Sequence, residues 1–241
     1  MTAGGQGPLV PGALNFRDVG GLPAGAHRTR GGILFRSGNL ARLGDAGRVA
    51  MTGLGIRRII DLRDDEEVLG EPSLIDGLAI EVQRVPLFLG SVASFFAQDI
   101  SLDELYRRLL DDSATGVVDV VRGIIADQPV LVHCTVGKDR TGVTVALTLA
   151  AAGVDVDAVV ADYARSESLL PVRRNRQVVS WLRSQHPDAV HIEELATRSP
   201  APVMRAALDR LAAEYGSPGD YLRAHGLGDD EVGELRRILV T

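Results

Sequence analysis

The stretch PVLVHCTVGKDRTGVTVALTLAAAG, residues 129–153, constrains the fold more than any other part of the chain. It opens on a continuous apolar run, VLVHC, of the kind found in a central strand covered on both faces. It closes on an apolar segment of helix length, TGVTVALTLAAA, followed by Gly153, a residue suited to the left-handed turn after a helix. A buried strand and a buried helix joined by one short loop call for an α/β fold, a parallel or mixed central sheet flanked by helices.

The rest of the pattern agrees with that layering. Short strands are expected over residues 32–38 (GILFRSG), 56–62 (IRRIIDL) and 80–87 (IEVQRVPL), the last stopped by Pro86. Residues 45–54 suit a short helix. SLDE at Ser101 has the spacing of a capping box, and Leu102, Leu105, Leu109, Val117, Val121 and Ile124 continue a helical period, with a break expected near Gly116. After the loop, helices are expected over 155–166, 172–184, 202–215, 218–225 and 229–239, so the C-terminal portion is helical. Residues 1–12, rich in Gly and Pro, read as a flexible arm on a single domain spanning 1–241.

Composition narrows the function. With 241 residues, 45% of them hydrophobic, the chain can bury a substantial core. A net charge of −6 argues against binding nucleic acid or anionic membranes over a broad face, so an anionic ligand must be held by a small site. No window approaches the roughly 20 apolar residues of a membrane span. The single cysteine rules out an intramolecular disulfide, and the N-terminus lacks the pattern of a secretion signal. A cytoplasmic location is expected, with signal-independent secretion left open. The sequence carries no signal for oligomeric state.

Cys134 is the only cysteine and Lys138 the only lysine, against 25 arginines. A strand-loop-helix turn aims backbone N–H groups and the positive end of a helix dipole into one concavity, which suits a tetrahedral oxyanion such as phosphate. Cys134 would face those amides together with Lys138 and Arg140, a setting that favours the nucleophilic thiolate. Arg140 can fold back and hold two phosphoryl oxygens in its planar fork. Lys138 is expected at the rim as a compact point charge. Thr135 and Val136 would contribute loop amides, and Gly137 a backbone shape that a side chain would obstruct. Thr141 is expected to donate its hydroxyl to the cysteine sulfur, and His133 to orient the loop. Asp139, a carboxylate in a phosphate-binding loop, is a candidate general acid. A nucleotide-binding P-loop is excluded, since Gly137 has no glycine five residues before it and Lys138 is followed by Asp139.

HCTVGKDRTG resembles the H-C-x5-R-[ST] signature of the cysteine-dependent protein tyrosine phosphatase superfamily. It is most similar to the branch with Cys-x-x-Gly-Lys-Asp-Arg, which includes mycobacterial and listerial phosphatases and dual protein and phosphoinositide phosphatases. NFRDVGG (15–21), LFRSGNLARL (34–43), GIRRIIDLR (55–63), ADYARS (161–166) and YGSPGDYLR (215–223) resemble, in the same order, segments of the mycobacterial protein tyrosine phosphatase B group. The resemblance implies a phosphomonoesterase needing no metal or cofactor, with Cys134 as nucleophile, Arg140 as phosphate binder and Asp139 as acid. It also implies that Lys138 supports tolerance for several substrates: phosphotyrosine first, then phosphoserine, phosphothreonine and phosphoinositides. The chain departs from that group in two places. No Asp follows the Pro-containing turn in VPLFLGSVASFF, and residues 90–105 are too few for a long helical lid.

Two rivals come from other classes. A catalytically weak phosphoprotein- or phosphoinositide-binding module would keep the pocket but usually lose Cys134, Arg140 or the acid. A sulfur or arsenic redox enzyme would want a resolving cysteine. Among other residues, Arg17 and Asp18 are expected to pair with each other, and Asp61, at a strand end, is the second candidate acid. Asp64, Asp65, Glu66 and Glu67 read as a solvated helix start. Arg165, Arg173, Arg174 and Arg176 read as a solvated helix face, with a substrate-docking patch as the weaker reading. Phe95, Phe96 and Trp181 fit either core or lid.

Overall fold

The computed structural model describes residues 9–87 and 92–241, with the side chains of residues 92–94 excepted. The elements before the long helices are β1 (Arg17–Asp18), β2 (Pro23–Ala24), β3 (His27–Arg28), β4 (Leu34–Ser37), α1 (Asp45–Gly53), β5 (Arg58–Asp61), α2 (Asp65–Gly70) and β6 (Glu81–Arg84). Next come α3 (Val92–Gln98), α4 (Leu102–Asp112), α5 (Ala114–Ala126), β7 (Val130–His133) and α6 (Arg140–Ala151). The C-terminal portion holds α7 (Val156–Leu169), α8 (Val172–Gln185), α9 (Ile192–Thr197), α10 (Ala201–Tyr215), α11 (Pro218–Ala224) and α12 (Asp229–Leu239).

Five strands form a mixed sheet in the order β1-β4-β7-β5-β6, in which only β1 runs antiparallel to its neighbour; β2 and β3 pair separately. β7 is the middle strand and all four of its residues are buried. Successive side chains of a strand point to opposite faces, so Val130, Leu131 and Val132 are apolar in turn, and only His133, at the strand's end, is polar. Leu131 lies in register with Phe35 and Ile59, and this row packs with Val10, Phe16, Leu40, Leu43 and Met51 on one face. Val130, Val132 and Ile60 join the larger core on the other face, with Val121, Ile124, Val145 and Leu149. At the C-terminal edge, Ser37, His133 and Asp61 form one row, from which the loop after β7 departs toward α6. Ligand sites of parallel sheets form at such edges.

α6 is buried at every position from Arg140 to Leu149, which is why its apolar run has no polar stripe. Gly153 closes it at φ +87° as expected. Ser101 caps α4, accepting the Glu104 N–H at 3.2 Å. The break that follows falls at Ser113, not at Gly116, which lies inside α5. Gly116 answers a packing demand instead: a Cβ there would sit 2.6 Å from Leu87 Cδ2. The expected arm is corrected in part. Residues 1–8 lie outside the described residues, but Val10 is fully buried and the Gly12 backbone is pressed against Arg42 O, so residues 9–12 are packed rather than loose. Among the described residues, no helix is long and apolar enough to cross a membrane.

Candidate active site

The loop between β7 and α6 is held from behind by a buried polar brace. The Gly137 carbonyl accepts hydrogen bonds from Asn15 Nδ2 at 2.8 Å and from Arg36 at 3.0 Å. Arg36 also pairs with Asp162 at 3.0 Å, and Arg17 meets the other Asp162 oxygen at 2.8 Å while donating to Ser166 Oγ. Arg17 therefore pairs with Asp162 of α7 and not with Asp18, whose carboxylate accepts the N–H groups of Gly20 and Gly32. Burial, with Arg36 close by, draws the Arg17 guanidinium down to about 10. Burial works to raise the Asp162 carboxyl, but Arg36 and Arg17 prevail and hold it below the usual carboxylate range. Gly137 is a required glycine: its φ is +73°, and a Cβ would lie 2.3 Å from Ser37 C and O.

Inside the loop, Cys134 is 3% exposed and its Sγ accepts the Gly137 N–H at 3.3 Å. Arg140 folds back over the loop as expected, but it does not arrive alone. Both of its terminal nitrogens lie 2.6 Å from the two oxygens of Glu67, and Thr135 Oγ1 donates to the same carboxylate. Burial opposes charge at both partners, and the hydrogen-bonded pairing overrides it: Glu67 is held below its usual range and Arg140 above its own. Glu67 is fixed by its own helix, where Asp64 and Glu67 form a reciprocal capping box at the start of α2. The reading of Glu67 as a solvated residue is corrected on this geometry. Its signal was the Asp64-x-x-Glu67 spacing, which aims the carboxylate back at the helix start.

Lys138 is also corrected. It is 1% exposed rather than a rim charge, and its Nζ lies 2.7 Å from Asp139 Oδ1. The same oxygen accepts the Tyr106 hydroxyl at 3.0 Å, and Tyr106 in turn contacts the Tyr163 hydroxyl at 2.7 Å. Burial and the facing Asp139 carboxylate push the Tyr106 phenol up, so it stays a neutral donor. Tyr106 shares the buried face of α4 with Leu102 and Leu109, which carries its hydroxyl into the interior. Among the described residues Thr141 Oγ1 is buried without a hydrogen-bond partner, so the expected donation to the cysteine sulfur is not made in this structure.

Asp61, the second candidate acid, does not reach the cleft. Arg63 grips it through Nε at 2.9 Å and Nη2 at 2.7 Å, and also donates its backbone N–H. Burial would raise the Asp61 carboxyl, but these donors keep it below the usual carboxylate range. His133 is wholly buried beside it. Burial draws its imidazole down, so it is a neutral structural residue, with Nδ1 3.4 Å from the Cys134 carbonyl oxygen.

Above the loop lies a cavity of about 230 Å³. Cys134, Thr135, Val136, Lys138, Asp139 and Arg140 form its floor, with Glu67 beside them. The walls are apolar: Phe95 and Phe96 of α3, Leu105 and Leu109 of α4, Val178, Trp181 and Leu182 of α8, Leu195 and Ala196 of α9. Arg174 of α8 completes the lining. Phe95 and Phe96 are thus both core and wall, buried yet facing the cleft, while Trp181 is largely exposed. A thiol, an arginine fork and a carboxylate under an apolar mouth can hold an oxyanion, attack its central atom and protonate a departing oxygen.

A strand-loop-helix cradle with these groups defines a cysteine-dependent phosphatase. The sequence matches the tyrosine phosphatase family over residues 8–241, and the chain belongs to that family. It is 34% identical to the triple specificity protein phosphatase PtpB of Mycobacterium tuberculosis, over 96% of this chain and 98% of that protein. It is 32% identical to a tyrosine-protein phosphatase of Nostoc commune, over 83% of this chain and 72% of that one. Among solved structures, the core catalytic domain of the PP-IP phosphatase SIW14 from S. cerevisiae is similar with a TM-score of 0.41 and 16% identity, over 78% of this chain and 93% of that chain.

Proposed function

We propose that residues 1–241 form a single phosphatase domain that hydrolyses phosphate monoesters through a phosphocysteine intermediate, with phosphotyrosine as its first substrate class. Cys134 attacks phosphorus in line, forming the S–P bond as the P–O bond to the leaving group breaks. Arg140 and the loop amides from Thr135 to Thr141 hold the three remaining oxygens as charge redistributes. Asp139 gives a proton to the departing oxygen; with Oδ1 engaged by Lys138 and Tyr106, Oδ2 is the oxygen that would carry it. Water then attacks the phosphocysteine, passes a proton to Asp139, and releases phosphate and the thiolate.

The observation that carries this reading is the convergence of Cys134, Asp139 and Arg140 on the floor of one cavity, with Sγ already accepting the Gly137 amide. The apolar walls suit an aryl ring above the phosphate, which favours phosphotyrosine over phosphoserine, phosphothreonine or a polyol headgroup. A cysteine nucleophile works only while reduced, which suits a reducing compartment such as the cytoplasm.

The test is turnover of 4-nitrophenyl phosphate by the wild type and by Cys134→Ser, with EDTA present throughout. The expected result is turnover by the wild type only, with a phosphate adduct on Cys134 detected by mass spectrometry after acid quench. Comparable turnover by the serine variant would end the cysteine mechanism.

A further inference from the structure

Two of the three cations lining the cleft are already matched. Lys138 is paired with Asp139 and Arg140 with Glu67, one carboxylate to each. Arg174 is the third. Its guanidinium donates to Asn175 Oδ1 at 3.1 Å, and among the described residues no carboxylate lies within ion-pairing distance of it. Burial draws its guanidinium down, and the two charges that act on it from further away oppose each other, Glu71 raising it and Arg42 lowering it. With Asp139 ionised, the cleft's surplus positive charge therefore sits at Arg174, on the wall; when Asp139 carries the proton it donates, Lys138 adds a second, but one buried in the loop.

The placement of Arg174 on its helix sets it apart from its neighbours. Arg173 and Arg176 of α8 are exposed, as a solvated helix face would be. Arg174, Val178, Trp181 and Leu182 recur at helical spacing and line the cavity together, so Arg174 is the charged member of an otherwise apolar stripe. A half-buried guanidinium between apolar walls is poorly hydrated, and an anion arriving beside it loses less to screening than at an open surface.

We infer that Arg174 is a specificity residue that binds an acidic side chain, Asp or Glu, next to the phosphotyrosine of a peptide substrate. This rests on the phosphatase reading above and adds the substrate feature that the site selects. A peptide is favoured over an inositol phosphate because Phe95, Phe96, Leu105, Leu109 and Val178 offer no side-chain hydrogen-bonding groups for ring hydroxyls, which would lose water without replacement. An aryl ring seated between these walls, with its phosphate on the loop, would bring the neighbouring residue toward the wall that Arg174 lines.

The experiment measures kcat/KM on two phosphotyrosyl peptides that differ only in Glu against Gln beside the phosphotyrosine. The wild type, Arg174→Gln and Arg174→Glu are compared, and 4-nitrophenyl phosphate reports the basic chemistry. The readout is the Glu/Gln ratio, in which any general damage to turnover cancels. The ratio is expected to be about three- to tenfold in the wild type at low salt and to shrink as salt rises. It should fall to about one in Arg174→Gln and drop below one in Arg174→Glu, a reversal that misfolding does not produce. A wild-type ratio near one, or a ratio unchanged in both variants, would overturn the inference while leaving the phosphatase intact. So would an Arg174-dependent preference for a soluble inositol bisphosphate with none for the acidic peptide. Failure of the wild type to turn over either peptide or 4-nitrophenyl phosphate would overturn the phosphatase reading, and this inference with it.

Discussion

Glu67 and Arg140 meet face to face across the cleft floor, two oxygens against two nitrogens at 2.6 Å each, although they belong to different helices 73 residues apart. The pair can either hold the arginine ready or obstruct the phosphate. The capping box favours the first role, because Glu67 is fixed to α2 by the Asp64 N–H and does not depend on Arg140 for its place. It orients a guanidinium that would otherwise pay rotamer entropy on each binding event.

Glu67→Gln is therefore expected to lower kcat/KM on 4-nitrophenyl phosphate by about tenfold and to weaken inhibition by inorganic phosphate in parallel. Glutamine can still accept the Asp64 N–H, so the change isolates the charge from the cap. A rise in activity would mean that Glu67 blocks the site.

Gly137→Ala should abolish activity and destabilise the fold. A Cβ there meets the Ser37 backbone at 2.3 Å, and the φ of +73° disfavours any side chain. The expected cost is about 2–4 kcal/mol, read as a lower melting temperature. Gly153→Ala is the matched control, since its φ of +87° is similar but its nearest contact, Arg236 Nη1 at 3.4 Å, is the end of a flexible side chain. It should lose stability and keep its turnover.

Acid should unfold the protein in two stages, each with a definite sign. His133 is lowered by burial, so its contribution to stability is complete above its unfolded value, about 6.5, and is lost as pH falls through the lower folded value. Asp162 and Glu67 are also held low, despite burial, by their arginine partners. Their contributions are present above roughly pH 4 and are lost further down. Melting temperature measured from pH 8 to 3 should begin to fall below about 6.5 and steepen below about 4. Asp162→Asn should reduce the second stage at the cost of a lower plateau, because Arg17 and Arg36 then keep buried charge without their counterion.

The central strand, the loop and α6 were legible because a strand buried on both faces and a helix buried all round have no polar stripe, and such runs stand out. The convergence of Cys134, Asp139 and Arg140 on one cavity was legible for a second reason, that local spacing fixes their geometry within one turn. The partners were not, because each comes from a distant element whose own pattern gives another explanation. Glu67 sits in a run of acids, Tyr106 at an ordinary core position of α4, and Asp162 in the middle of α7. Arg36 carried the clearest overlooked signal. A charge inside the four-residue buried strand LFRS must have a buried partner. Lys138 was misplaced because its neighbour along the chain, Asp139, turns the ammonium inward.

The identity of the acid can be settled by leaving-group dependence. Asp139 lines the cleft with its side chain 24% exposed, whereas Asp61 is buried and held by Arg63 through three donors. A proton donor matters most when the departing oxygen is a poor leaving group, so removing it should steepen the dependence of rate on leaving-group quality. Asp139→Asn should slow phenyl phosphate by about 100-fold or more while slowing 4-nitrophenyl phosphate far less. Asp61→Asn should leave that contrast as in the wild type and instead lower the melting temperature, since it strips a buried arginine of its charge partner. Tyr106→Phe separates support from chemistry: it removes one of the two donors to Asp139 Oδ1 and leaves the carboxylate in place. Its effect on phenyl phosphate should fall between those of the wild type and Asp139→Asn. If only Asp61→Asn steepens the leaving-group dependence, the proton travels through Arg63's partner and the Asp139 assignment is wrong.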